Sequence, residues 1–381
     1  MTMENGLTKN RGEWAEVVAV MGIVARGSVK TVSLVDGKLC ETDAEVSVAR
    51  ASIVRNKQTI EYRIHRKDGV PDEIEIVTPD ESFAVPANEF QGDFETLKES
   101  VVLAVDNAKG RTFAVPAAEN IMRKYRFGSG KSKSTLKQDV DLVLYGADGT
   151  ELAEQGFSVK SFLVSKPSLF NASRGGRFRY KIDGNKLLQA TIIEKRFADH
   201  KGGWVMGLVR ALDELGAFTY KITVPEKSFR RNLELLDAHM AEVIGYMLLQ
   251  AFVSGDRALK VGLARTIKGD PLDYGKDAET FYTYRVKHFL RAAALGFCAK
   301  DPWDGVEGAE GGMIMVRHDW SLRCFLSGKS EFENYLLETC SFDTPSTSKD
   351  KWGGYATVEH KEGTGYLELV LQVRESDPFK A

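Results

Sequence analysis

The sequence predicts a mixed chain of the α+β or α/β type, a central sheet flanked by helices, and three observations predict it. Residues 29–78 alternate or cluster β-branched residues and break at Asp-Gly turns. Residues 11–25, 88–109, 229–254 and 279–295 space their apolar side chains for helices. From Gly312 onward β character returns.

Taken in order, RGEWAEVVAVMGIVA at 11–25 is a helix with Glu13 and Glu16 in its first half. VKTVSLVDGKL, AEVSVARASIVRN and QTIEYRIHRKDGVPDEIEIV are strands. Residues 88–109 and 116–127 are helices, with Pro116 near the start of the second. GSGKSKSTLKQ is a loop. DVDLVLYGADGTELAEQGFSVKSFLV is the most regular stretch, a strand, a Gly/Asp turn and a strand. The polar, Arg/Gly-rich SKPSLFNASRGGRFRYKI follows. Residues 229–254 form one long amphipathic helix and 279–295 another, and GGMIMVRH, LRCFLSG and GYLELVLQVR are strands. A soft boundary near 265–278 suggests a core over 1–270, with an inserted N-terminal β-rich segment, and a smaller C-terminal α/β part over 271–381. The order of elements also permits one compact unit.

Composition excludes several classes. The chain is 43% hydrophobic and 28% charged, a globular balance. No apolar run approaches the ~20 residues a bilayer span needs. The polar, acid-bearing start is not a secretory signal, so a cytoplasmic location is expected, with no membrane partner. Cys40, Cys298, Cys324 and Cys340 make no CxxC pair, and the six histidines make no HxxxH or HxH pair, so neither zinc nor a disulfide scaffold is indicated. A net charge of −2 excludes a small DNA-coating protein. The distribution says more: residues 120–182 carry +7 and the rest −9. The acids of that stretch lie within 139–154, between basic runs, the pattern a site for a polyanion needs. A solvated lysine-rich face gives the same count.

GSGKS at 128–132 invites a phosphate-loop reading that fails. The full motif needs a glycine five residues before Gly130, where Tyr125 stands, and the loop joins helix to strand rather than strand to helix. Its basic residues, Lys131 and Lys133, suit a DNA backbone or groove.

The hairpin carries the chemistry. Hydrolysing a phosphodiester takes a hard cation, oxygen ligands and a group that orients water. Residues two apart on a strand share a face. Asp139 and Asp141 therefore open the first strand on one face, and Ser158 and Lys160 share a face of the second. Val140, Leu142 and Leu144 point the other way and anchor the strand. Ser158 occupies a place where an acid would complete an acid-x-lysine pair. A further ligand is then required: the main-chain carbonyl of Val159, or a glutamate from a nearby helix, Glu13 or Glu16.

Longer strings shift the weight. RGEWAE at 11–16, KQDVDL at 137–142, GFSVKSFLVSKPSLFNAS at 156–173, FRRNLELLDAHMAEVIGYML at 229–248, FLRAAALGF at 289–297, WDGVEGAEGGMIMVR at 303–317 and FENYLLETCSFDTPSTSKDKWG at 332–353 resemble the HpaII family of type II restriction endonucleases. The matches run in order from residue 11 to about 374. The resemblance implies a PD-(D/E)XK-like nuclease core and Mg2+-dependent cleavage of double-stranded DNA at CCGG. It also implies functional pairing with a cognate DNA methyltransferase. Asp139 would be the metal carboxylate, although Gln138 stands where proline would be, which leaves Asp141 in play. Ser158–Lys160 would be the variant acid-x-lysine, Lys160 the water-orienting cation, and Glu13 or Glu16 the helix glutamate.

G·C pairs call for bidentate donors, chiefly arginine. Ser168, Asn171, Ser173, Arg174, Arg177 and Arg179 follow the catalytic strand and are candidates, or else they neutralise phosphates. Ser346, Ser348 and Lys349 form a second candidate segment. A palindromic site favours a homodimer, though a monomer also serves. Two other readings stay open: a DNA-binding protein whose nuclease site has decayed, and a methylation- or structure-dependent nuclease.

Overall fold

Asn10 sets the start of the first helix, Arg11–Arg26. Its side chain accepts the Glu13 amide at 3.0 Å and the Glu13 carboxylate accepts the Asn10 amide at 2.8 Å, a capping box. Gly27, at φ +65°, ends the helix in the left-handed conformation that glycine adopts without strain. Trp14, Ala15 and every residue from Val17 to Ala25 are buried. A helix apolar nearly all round belongs inside a core, and Glu16 is the one charged residue from Trp14 to Ala25.

The computed structural model describes residues 7–35, 38–128, 138–163, 166–197, 204–326, 328–345, 358–361 and 364–377. Contacts divide the chain into two units, Met1–Ser165 with Glu307–Lys329, and Lys166–Val306 with Ser330–Ala381. The boundary suggested by the sequence at 270/271 falls inside the second.

The first unit is built on a large mixed sheet. Its nine strands run in the order Ser28–Val35, Leu322–Leu326, Gly312–Val316, Gln155–Ser161, Val140–Leu144, Lys38–Arg55, Gln58–Lys67, Val70–Val77 and Ser82–Pro86. Gly312–Val316 runs parallel to Gln155–Ser161 and antiparallel to Leu322–Leu326. Ser28–Val35 also pairs with the first half of Lys38–Arg55, which closes six strands into a circuit. Alternation sorts the faces. Ala51, Ile53, Tyr62, Ile64, Ile74 and Ile76 join one apolar core with the first helix and with Phe90 and Phe94 of the helix Ala87–Asn107. The interleaved Arg50, Glu61, Arg63 and Glu75 form a ladder of ion pairs on the other face.

The second unit carries an antiparallel sheet ordered Phe218–Thr223, Arg177–Ile182, Thr364–Val370 and Val358–Lys361. Phe178, Tyr180 and Ile182 are buried, and the Tyr180 hydroxyl donates to the Gly245 carbonyl at 2.8 Å. Residues 229–254 are two helices, Lys227–Leu236 and Met240–Ser254, rather than one. The break is chemical: the Asp237 carboxylate takes Arg285 Nε at 2.7 Å and the His239 amide at 2.8 Å, with its own backbone extended. Among the described residues no helix is long and apolar enough to cross a membrane.

Candidate active site

The strand Val140–Leu144 pairs antiparallel with Gln155–Ser161, placing Val140 across from Phe157 and Asp141 across from Gly156. Val140, Leu142 and Phe157 face the core around the first helix and are fully buried. Asp139 lies in the bend just before the strand, where the ladder stops. Its amide still donates to the Phe157 carbonyl at 2.9 Å, but its carboxylate accepts the Val159 amide at 2.7 Å. The side chain thus replaces the next rung and is held at the end of the hairpin. Gly156 is required here, because a Cβ would lie 2.0 Å from the Gly308 carbonyl. The Gly311 amide donates to the Gly156 carbonyl at 2.9 Å, so Gly308 and Gly311 serve close packing on this strand.

Glu16 and Asp139 are electrostatic neighbours. Burial, then the Asp139 charge, pushes the Glu16 carboxyl up to about 7, while Arg55 and Lys9 pull the other way. Arg55 Nη2 pairs with Glu16 Oε1. Arg55 is 5% exposed and Lys9 6%, so both cations that act on this helix carboxylate are nearly buried. Glu13 is occupied differently, since its carboxylate closes the capping box. Asp139 thus stands close enough to raise the Glu16 carboxyl, and Arg55 and Lys9 close enough to lower it.

Neither cation stands out in the sequence. Arg55 shares the phase of Ala51 and Ile53, both buried, so an arginine at an inward strand position was the available signal. Lys9 gave no comparable sign.

Asp141 has other partners. It lies across from Ser52 and accepts from the Gln138 side-chain amide. Burial, then the Glu154 charge, pushes it up to about 6, against the Gln138 hydrogen bond. Gln138, in the proline position, therefore ties down the second aspartate.

Ser158 is 1% exposed and its hydroxyl has no hydrogen-bond partner among the described residues. It neighbours Met313 across the parallel pairing, and Lys160 neighbours Met315. Lys160 is half-buried and, among the described residues, makes no ion pair or hydrogen bond through its ammonium. No three His, Cys, Asp or Glu side chains among the described residues cluster to hold a metal by themselves. Two oxygen-bearing carboxylates remain, the number Mg2+ commonly takes from protein when phosphate and water complete its shell.

The expected DNA contacts fall in three places. Lys131, Lys133, Ser346, Ser348 and Lys349 lie outside the described residues. Asn171 and Arg174 are exposed. Ser173 accepts the Gly176 amide at 3.1 Å in a turn, and Ser168 pairs with Arg374 in a short ladder. Arg177 and Arg179 both bind the buried Glu368, Arg177 at 2.8 Å. Their guanidiniums thus stand side by side on one face of the second unit's sheet.

A family model described as HpaII restriction endonuclease matches residues 10–375. The chain belongs to the HpaII restriction endonuclease family. It is 29% identical over 375 residues to the type II restriction enzyme HpaII of Haemophilus parainfluenzae, covering 96% of this chain and 98% of the relative. No solved structure matches. Membership makes the chain a restriction endonuclease acting on double-stranded DNA. Within this HpaII-family chain, Asp139, more than 120 positions from Glu16 in sequence, acts electrostatically on the Glu16 carboxyl.

Proposed function

We propose that this chain is a Mg2+-dependent type II endonuclease with a PD-(D/E)XK-like core that cuts double-stranded DNA at CCGG. The observation that carries the reading is Asp139, fixed by the Val159 amide next to Lys160, with its charge acting on the Glu16 carboxyl.

Asp139, Glu16 and the Val159 carbonyl would hold the ion, and both acids offer the hard oxygens Mg2+ prefers. Bound there, Mg2+ would polarise the scissile phosphate and acidify a water. Lys160 orients the attacking water and stabilises charge developing on the phosphate. Ser158 supplies no carboxylate, so ligation falls on Asp139 and Glu16. Asp141, tied to Gln138, supports the strand. Arg174, Arg177 and Arg179, with Asn171, Ser173 and Ser168, supply the donors that G·C pairs require, and the lysine and serine segments at 131–133 and 346–349 add backbone contacts. The products carry 5′-phosphate and 3′-hydroxyl ends. The enzyme works in the cytoplasm beside a methyltransferase of the same specificity, without a stable complex, and a homodimer suits the palindrome.

The buried serine in the acid position favours one rival, a DNA-binding protein with a decayed site. A plasmid digest with and without Mg2+, followed by sequencing of the ends, separates them. Mg2+-dependent cuts confined to CCGG support the nuclease. Tight, site-specific binding with no cuts would establish the rival, and cuts only on methylated or distorted substrates would establish a modification- or structure-dependent enzyme.

A further inference from the structure

We propose that Arg55 is a positioning residue for the metal: it grips one oxygen of Glu16 so that the other is turned toward Asp139. The proposal rests on the nuclease reading above.

The guanidinium is itself fixed from several sides. Arg55 ends the strand Lys38–Arg55 at an inward position, in phase with Ala51 and Ile53. Its Nη1 donates to the Val54 carbonyl at 3.1 Å. Its Cζ lies 5.7 Å from the centre of the Phe127 ring, within cation–π reach. Gly128, with φ +71°, packs so closely on the Arg55 side chain that a Cβ there would fall 2.9 Å from Arg55 Cβ. A side chain held this way keeps one geometry.

Its partner needs such holding. Glu16 projects from a helix whose other residues from Trp14 to Ala25 are apolar, and the side chain keeps 21% of its surface exposed. Arg55 takes Oε1, and among the described residues no hydrogen bond reaches Oε2. Left alone, a glutamate beside an aspartate would turn away from it, because like charges repel at close range. The arginine opposes that swing. A stability role explains the pair poorly. Buried ion pairs are commonly no better than apolar packing of the same volume, and this position lies among apolar neighbours that would accept one.

Arginine rather than lysine is required, because the planar fork fixes the direction of the carboxylate while an ammonium fixes only its charge. Lysine at position 55 therefore separates geometry from Coulomb attraction. The partner that orients a metal-ligating group is usually worth about 10–100-fold in metal affinity.

The test uses the full chain with Ca2+ alone, without DNA. Ca2+ affinity is measured by calorimetry and by the rise in melting temperature on adding the ion, and the Mg2+ dependence of plasmid cleavage is measured alongside. Arg55→Met should weaken Ca2+ binding about 10–100-fold, and Arg55→Lys should weaken it in the same direction despite keeping the charge. The half-saturating Mg2+ concentration should rise in proportion and by more than the maximal rate falls. If Arg55→Met does not fold, Arg55→Lys and Phe127→Leu, which loosens the guanidinium from its ring, carry the test. Wild-type Ca2+ affinity in the folded variants, or tighter binding, overturns the proposal and leaves Arg55 a structural counter-ion. A wild-type chain that cuts DNA while Arg55→Lys keeps its metal dependence defeats this inference alone. A wild-type chain that neither binds the ion nor cuts DNA defeats the nuclease reading first.

Discussion

Each unit of this protein holds a glutamate gripped by arginine, and the two differ in what stands beside the pair. In the first unit Glu16 faces Arg55 and Lys9, and Asp139 is added beside it. In the second, Glu368 is 3% exposed and takes both Arg177 and Arg179. The extra member decides the difference. A second carboxylate gives oxygens enough for a hard cation. A second guanidinium gives planar donors, the groups that recognise guanine edges and phosphates. In the proposed reading the same kind of pair is the rigid half of either site, because an arginine on a carboxylate has little freedom left.

The largest expected effect breaks or confirms the first half of that contrast. Asp139→Asn and Lys160→Ala should each lower cleavage by about 10³-fold or more, with site-specific DNA binding largely retained in a gel-shift assay. Either variant cutting at the wild-type rate would remove the metal role from this end of the hairpin. Next comes the second half. Arg174→Ala and Arg179→Ala should each cost about 1–3 kcal/mol of discrimination between CCGG and single-base variants, without moving the Mg2+ dependence. A uniform loss on all sequences would assign these arginines to phosphates instead.

A smaller effect separates the two aspartates. The Asp141 carboxyl is pushed from 3.8 to about 6 by burial and Glu154. A carboxyl with raised proton affinity in the fold contributes its stability below its unfolded value and loses it as pH climbs through the folded one. Asp141 therefore destabilises the chain from about pH 4 to pH 6 and above. The rise would be worth about 3 kcal/mol out of water, and water access to this half-buried side chain cuts it to about 1 kcal/mol. Asp141→Asn should accordingly melt higher than wild type at pH 8 and alike at pH 4, and should keep cutting. Loss of cutting would transfer the metal from Asp139 to Asp141.

The smallest effect concerns Ser158. Its buried hydroxyl satisfies no partner among the described residues. Ser158→Ala should gain about 0.5–1 kcal/mol in denaturant unfolding and leave the cleavage rate within about tenfold. A collapse of activity would make the hydroxyl part of the metal shell.

Local pattern and tertiary packing contributed different things. The alternation of DVDLVLY and QGFSVKS, with the Asp-Gly turn between them, determined the hairpin and its inward residues, because side-chain direction on a strand follows from position alone. The strings shared with the HpaII family determined the class of enzyme. The 229–254 stretch reads as one helix because its apolar spacing continues across Asp237, and only the distant Arg285 shows why the backbone breaks there. The proposed preference for Glu16 over Glu13 as the helix ligand also has no basis in the sequence. Both sit on the first two turns of one helix, and what separates them is a capping contact with Asn10 and a charge 123 positions away. Arg55 became visible only when the strand ending at it was laid against that helix. Periodicity fixes which way a side chain points. Which groups it then meets depends on chain closure between remote segments, and that information exists only in the folded molecule.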